Sequence, residues 1–106
     1  MTTIYGKLTR MLEQGCYRDV LGELEQYDIR EYTEELFIIA VSAFLAVGEY
    51  ESARQYLQAG LQINPKNAEL YLLLGNYYEQ YNRKQAYLCY ENAELYCEDP
   101  QDKAVT

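Results

Sequence analysis

Residues 37–65 read FIIAVSAFLAVGEYESARQYLQAGLQINP, and residues 71–93 read YLLLGNYYEQYNRKQAYLCYENA. Laid over one another, the two stretches share a pattern of residue sizes. Phe37 and Tyr71, Ala40 and Leu74, Val41 and Gly75, and Phe44 and Tyr78 each stand 34 residues apart. Ala53 and Ala86, Leu57 and Tyr90, and Gly60 and Ala93 stand 33 apart. The register runs backwards at 33 residues, pairing Met11 with Phe44, Gly15 with Gly48, Tyr17 with Tyr50 and Leu24 with Leu57. Self-similarity at a fixed period of this length marks a stack of supersecondary units that cannot bury their apolar faces alone.

Within each unit apolar residues recur at helical spacing, break near a turn and resume, so each unit reads as two antiparallel helices. The spacing predicts helices over 3–14, 17–28, 33–46, 50–63, 67–80 and 84–97. Gly15 and Gly48 mark two of the breaks, Pro65 ends the fourth helix and Pro100 follows the sixth. The expected organisation is a single domain over 1–106, with repeats at approximately 1–33, 34–67 and 68–100 and a short tail at 101–106.

The third unit, with Tyr71, Leu74-Gly75, Tyr78, Ala86, Tyr90 and Ala93, resembles the tetratricopeptide repeat. That motif places an aromatic, Leu-Gly and Tyr in its first helix, then Ala, an aromatic and a closing Pro. The second unit fits through Phe37, Ala40-Val41, Phe44, Gly48-Glu49-Tyr50, Ala53, Leu57 and Asn64-Pro65, with Gly60 where Ala is usual. The first unit keeps Gly15-Cys16-Tyr17 and Leu24, but has Lys7-Leu8 for the small pair, Val20 for Ala and Tyr27 for the second Ala. The resemblance implies an all-α fold, a right-handed superhelical stack of three antiparallel helix pairs. It also implies a protein-binding role, with a curved groove lined by the first helix of each unit.

In the second unit the packing stripe is Phe37, Ala40, Val41 and Phe44, which leaves Glu35, Ile38, Ser42 and Leu45 on a neighbouring stripe. By register the same stripe carries Tyr5, Thr9 and Leu12 in the first unit and Glu69, Leu72, Asn76 and Glu79 in the third. These residues are the expected partner-binding groove, apolar in its middle and acidic nearby. Asn76 is the sharpest polar candidate, because a carboxamide both donates and accepts and so can clamp an extended peptide backbone. A solvated or interhelical Asn76 is the competing reading. Family members that hold the acidic C-termini of heat-shock chaperones use Lys and Arg in this groove. None of these positions is basic, so that ligand class is excluded, and an apolar or basic protein segment suits the surface.

The last repeat helix carries Tyr87, Tyr90, Leu95 and Tyr96, where a repeat array would ordinarily end on a polar cap. Three readings stand for this assembly surface: tyrosines tolerated at the surface, a homodimer through the last helix, or a natural chain that continues beyond Thr106. Self-association or docking within a larger bacterial protein is therefore the alternative function. Residues 85–94, QAYLCYENAE, resemble repeat segments attached to some bacterial glycosyltransferases, whose sugar-transfer chemistry would reside elsewhere.

Net charge is −8, which disfavours nucleic acid and anionic membrane, since both are held chiefly by Lys and Arg. There is no long apolar run, so the expected compartment is the cytosol. No histidine is present to act as a base or a zinc ligand, and the six glycines are dispersed rather than gathered in a phosphate-cradling loop. Cys89 and Cys97 lie eight residues apart on one predicted helix, roughly 12 Å at helical rise, too far for a disulfide. Reduced structural cysteines are expected, with Cys16 at a turn the one thiol whose neighbour Arg18 lends it a positive charge. The chain is read as no enzyme, with no cofactor and no metal. A small helical layer can use the thirteen tyrosines as core filler, each able to keep its hydroxyl at the boundary with water. Tyr77, Tyr78 and Tyr81 could instead stack on a ligand, but Tyr78 stands at a packing position of the repeat.

Overall fold

A computed structural model describes residues 4–97. The tail at 101–106, Pro100 and the Thr3 start of the first helix lie outside the described residues. Six α-helices follow in order: α1 (Ile4–Glu13), α2 (Tyr17–Leu24), α3 (Glu34–Val47), α4 (Tyr50–Ile63), α5 (Ala68–Tyr78) and α6 (Arg83–Cys97). A 3₁₀ turn, Ile29–Glu31, lies between α2 and α3.

The helix ends are set by local chemistry. Thr33 and Asn67 cap α3 and α5, their side chains accepting from Leu36 N (3.3 Å) and Leu70 N (3.0 Å). Gly15 and Gly48 follow α1 and α3 with φ of 80° and 83°, the left-handed conformation that costs glycine little. In each case the next amide closes back on the helix: Cys16 N donates to Met11 O and Glu49 N to Phe44 O, both at 2.9 Å. Asn64 adopts an extended conformation before Pro65, as the proline ring demands, and α4 stops there.

The residues in repeat register are buried together. Leu8, Val41 and Gly75 are buried, as are Val20, Ala53 and Ala86, and Leu24 and Leu57. Gly60 stands where alanine is usual because a Cβ there would sit 2.9 Å from Leu70 Cδ1 and 3.2 Å from Phe37 Cβ. Between the second and third units, the Glu34 carboxylate accepts from the side-chain amides of Asn64 (2.8 Å) and Asn67 (2.7 Å). One acid at the start of α3 thereby holds the loop that leads into α5.

One helix departs from its predicted span. Instead of running over 17–28, α2 stops at Leu24. Tyr27 occupies the register position filled by Gly60 in the second unit, where even one added carbon meets the neighbouring helices. A phenol ring has no place in such a notch; Tyr27 stands 38% exposed. The chain then restarts on a capping box, with Asp28 accepting from Arg30 N at 2.9 Å and Glu31 reaching back to Asp28 N at 3.4 Å.

The first helices touch in succession, α1 on α3 and α3 on α5, whereas α2 does not touch α4, nor α4 α6, among the described residues. Helices that pack on one side of a stack and diverge on the other give it curvature, with α1, α3 and α5 on the inner side.

Candidate functional site

The inner surface is built on α3, which is apolar along most of its length because it is covered on several sides. Of the predicted groove residues, Tyr5, Leu12, Ile38 and Leu45 are half-buried and pack against the core. Thr9, Glu35, Glu69, Asn76 and Glu79 are exposed, and Leu72 stands out from α5 at 47% exposure. Two of the polar side chains are already engaged. Tyr5 Oη lies 3.0 Å from Thr33 Oγ1, and Ser42 donates to Ile38 O at 2.8 Å, a bond internal to α3.

Asn76 Oδ1 accepts from the Tyr90 hydroxyl at 2.7 Å, which joins a predicted groove residue to a predicted assembly residue. The interhelical reading of Asn76 therefore holds for its oxygen. Tyr90 reaches Asn76 by lying across Gly75, where a Cβ would come within 2.5 Å of the ring.

The last helix packs on α5 alone among the described helices, through Ala86, Cys89 and Ala93. Its four predicted surface residues divide. Tyr87 (64%) and Leu95 (62%) are exposed, whereas Tyr90 is held on Gly75 and Tyr96 stacks on Tyr71 at 5.4 Å between ring centroids. Leu88, not singled out from the sequence, joins the exposed face at 50%. Tyr77 packs its ring against Tyr78 (5.2 Å) and Tyr81 (5.1 Å), and Tyr81 also meets Tyr50 at 6.1 Å. Tyrosine as core filler holds fully for Tyr32 alone, the one buried tyrosine among the described residues; several others pair ring to ring at the edge of the core.

Cys16, Cys89 and Cys97 are free, and burial pushes the Cys89 thiol up, away from reactivity. Among the described residues no three Cys, Asp or Glu side chains gather as metal ligands would. No helix among them is long and apolar enough to cross a membrane.

Two phenols are pushed up to about 12 from an ordinary 10. Burial is the first cause for both; Tyr56 and Glu25 add to it at Tyr32, and Glu79 at Tyr90. An unfolded tyrosine ionises near ~10. Above that pH the unfolded chain releases protons that the folded chain keeps. This share of stability is complete below about pH 10 and is lost as the pH rises through about 12. Urea midpoints measured by circular dichroism should fall steadily from pH 10 to 12, more steeply than for a Tyr32→Phe variant. A flat profile across that interval would contradict the burial of both phenols.

Residues 34–77 match a family model for the tetratricopeptide repeat. Those residues are tetratricopeptide-repeat sequence. The matched span runs from the first turn of α3 almost to the end of α5, one whole hairpin and the helix that follows it. A curated relative from Bacillus subtilis (strain 168), TPR repeat-containing protein YpiA, is 32% identical over 84 residues. That alignment covers 74% of this chain and 19% of the relative, so the chain spans about a fifth of the relative's length. No solved structure matches the chain significantly. Nothing in the relative's name bears on the glycosyltransferase resemblance of residues 85–94. Tetratricopeptide repeats generally mediate protein–protein interaction.

Proposed function

We propose that this chain is an interaction module of three repeats whose α1–α3–α5 face binds a segment of another protein. The observation that carries the reading is Leu72, a large apolar side chain 47% exposed on the inner helix α5. Glu69, Asn76 and Glu79 are exposed along α5 with it and Glu35 is exposed on α3, so a segment with an apolar anchor and basic flanks complements the surface. A net charge of −8 adds long-range attraction for such a partner.

A second reading has its own observation: α6 presents Tyr87, Leu88 and Leu95 to solvent with no further helix over them among the described residues. In that reading α6 self-associates or docks on another domain of a larger protein. One experiment separates the two. A peptide array of apolar-basic sequences is probed with the wild type, with Leu72→Asp and with Tyr87→Glu/Leu95→Glu. Molar mass is followed by light scattering over a dilution series. The groove reading expects a monomer whose peptide binding weakens at least ~10-fold in Leu72→Asp, with unchanged helicity, and is unaffected by the α6 changes. A dimer abolished by the α6 changes, with no peptide bound, overturns it in favour of assembly.

A further inference from the structure

Away from the groove, on the side where the second helices diverge, α2 and α4 leave a trough of about 450 Å³ between them. That volume falls within the range of sites that hold small ligands or single side chains, ~300 to 1,000 Å³. Its floor is α3, through Ala40 and Phe44. Three departures from the repeat pattern create it: α2 stops at Leu24, Gly22 contributes no side chain, and Tyr27 stands aside at the rim.

The lining combines two chemistries. Four aromatic residues line the space: Tyr27, Tyr32, Phe44 and Tyr56. Tyr56 is their hub, 5.0 Å from Phe44 and 5.9 Å from Tyr32 between centroids, and Tyr32 is anchored by donating to Leu24 O at 3.1 Å. At the rim lie the carboxylates of Glu25 and Glu49, neither in an ion pair among the described residues. Arg18 also lines the trough, leaving it one negative charge in excess. Aromatic faces attract cations through their quadrupole, a flat guanidinium stacks on them, and carboxylates accept its N–H groups in pairs.

We propose that this trough is a second binding site, which takes the guanidinium of an arginine side chain carried by a partner polypeptide. The site is independent of the groove, since it uses α2, α4 and the outer side of α3. Negative potential within it is visible at Tyr32, whose phenol Glu25 helps to push up.

The test uses the full chain with ¹³C-labelled tyrosine rings, titrated with N-acetylarginine amide and with N-acetylcitrulline amide, its uncharged counterpart. Expected are saturable shifts of the Tyr27 and Tyr56 ring signals with the arginine compound, and at least ~5-fold weaker binding of the citrulline compound. Gly22→Leu should remove the shifts while leaving helicity intact, because a Cβ at Gly22 meets nothing within 4 Å and the side chain grows into the trough. Glu25→Gln/Glu49→Gln should weaken binding by about 5- to 10-fold, both residues being exposed and free to change without loss of fold. Equal binding of citrulline, shifts that survive Gly22→Leu, or no saturable shift with the arginine compound would each overturn the proposal. None of these outcomes touches the groove, which Leu72→Asp tests separately.

Discussion

Replacing Phe37 with Ala should cost about 3–5 kcal/mol, against a total stability of about 5–15 kcal/mol for a domain of this size. Phe37 is 2% exposed and heads the fully buried side chains by volume. Its ring lies 5.1 Å from Tyr32 and 6.1 Å from Tyr56 between centroids. Neither neighbour can move far into the space its removal leaves. Tyr32 is tied by its hydroxyl to Leu24 O, and Tyr56 is packed against Phe44 on its other side. The hole therefore stays largely open, and the loss falls toward the upper part of the range.

The position of Phe37 also makes the loss spread. It lies in the central unit, and a repeat array is stabilised by each unit and by the interfaces between neighbours. Weakening the middle uncouples α1–α2 from α5–α6, so the variant should show both a lower urea midpoint and a shallower slope. Phe37→Leu, which keeps most of the volume, should cost about 1 kcal/mol and retain the slope. A Phe37→Ala protein within about 1 kcal/mol of wild type would mean that the ring is not the keystone of the core.

Much of this architecture is legible in the sequence because small and large residues alternate in register. Val20, Ala53 and Ala86 mark the same buried notch in three helices, and reading one of them locates the other two. Helix starts are equally legible where a capping side chain announces them, as Thr33 and Asn67 do. The early end of α2 is harder to see by periodicity, since Tyr27 is apolar enough to continue a helical stripe. The signal against it was local: Asp28 and Glu31 form a capping box, and a new N-terminus cannot lie inside an old helix.

The groove illustrates a different limit. Register assigns Leu12, Ile38, Leu45 and Leu72 to one stripe, but only Leu72 is strongly exposed. How far each side chain sinks depends on the approach of neighbouring helices, and α5 has an inner-helix neighbour on one side only among the described helices. The trough between α2 and α4 was invisible for the same reason. It is made by what α2 lacks, its last turn and a side chain at Gly22, and absent atoms leave no pattern in a periodicity.

Gly75 and Tyr90 provide the strictest check on the last repeat, through a change of sign. A Cβ at residue 75 would lie 2.5, 2.8 and 2.9 Å from three atoms of the Tyr90 ring. The ring cannot swing away freely, because its hydroxyl is bonded to Asn76 Oδ1 at 2.7 Å. Gly75→Leu should therefore destabilise by about 2–3 kcal/mol, the upper part of the usual range for overpacking. Gly75→Ala sets two effects against each other. Alanine gains about 0.5–1 kcal/mol over glycine within a helix, while the clash costs about 1–3 kcal/mol, so the net effect is destabilising. In a Tyr90→Ala background the clash is gone and only the helical preference remains. There Gly75→Ala should stabilise by about 0.5–1 kcal/mol, and a double-mutant cycle on urea midpoints reads the difference as a coupling of about 1–3 kcal/mol. If Gly75→Ala has the same sign in both backgrounds, the tyrosine does not sit in the glycine's notch. In that case α6 packs on α5 by another face, one that would also redraw which of its residues are left for a partner.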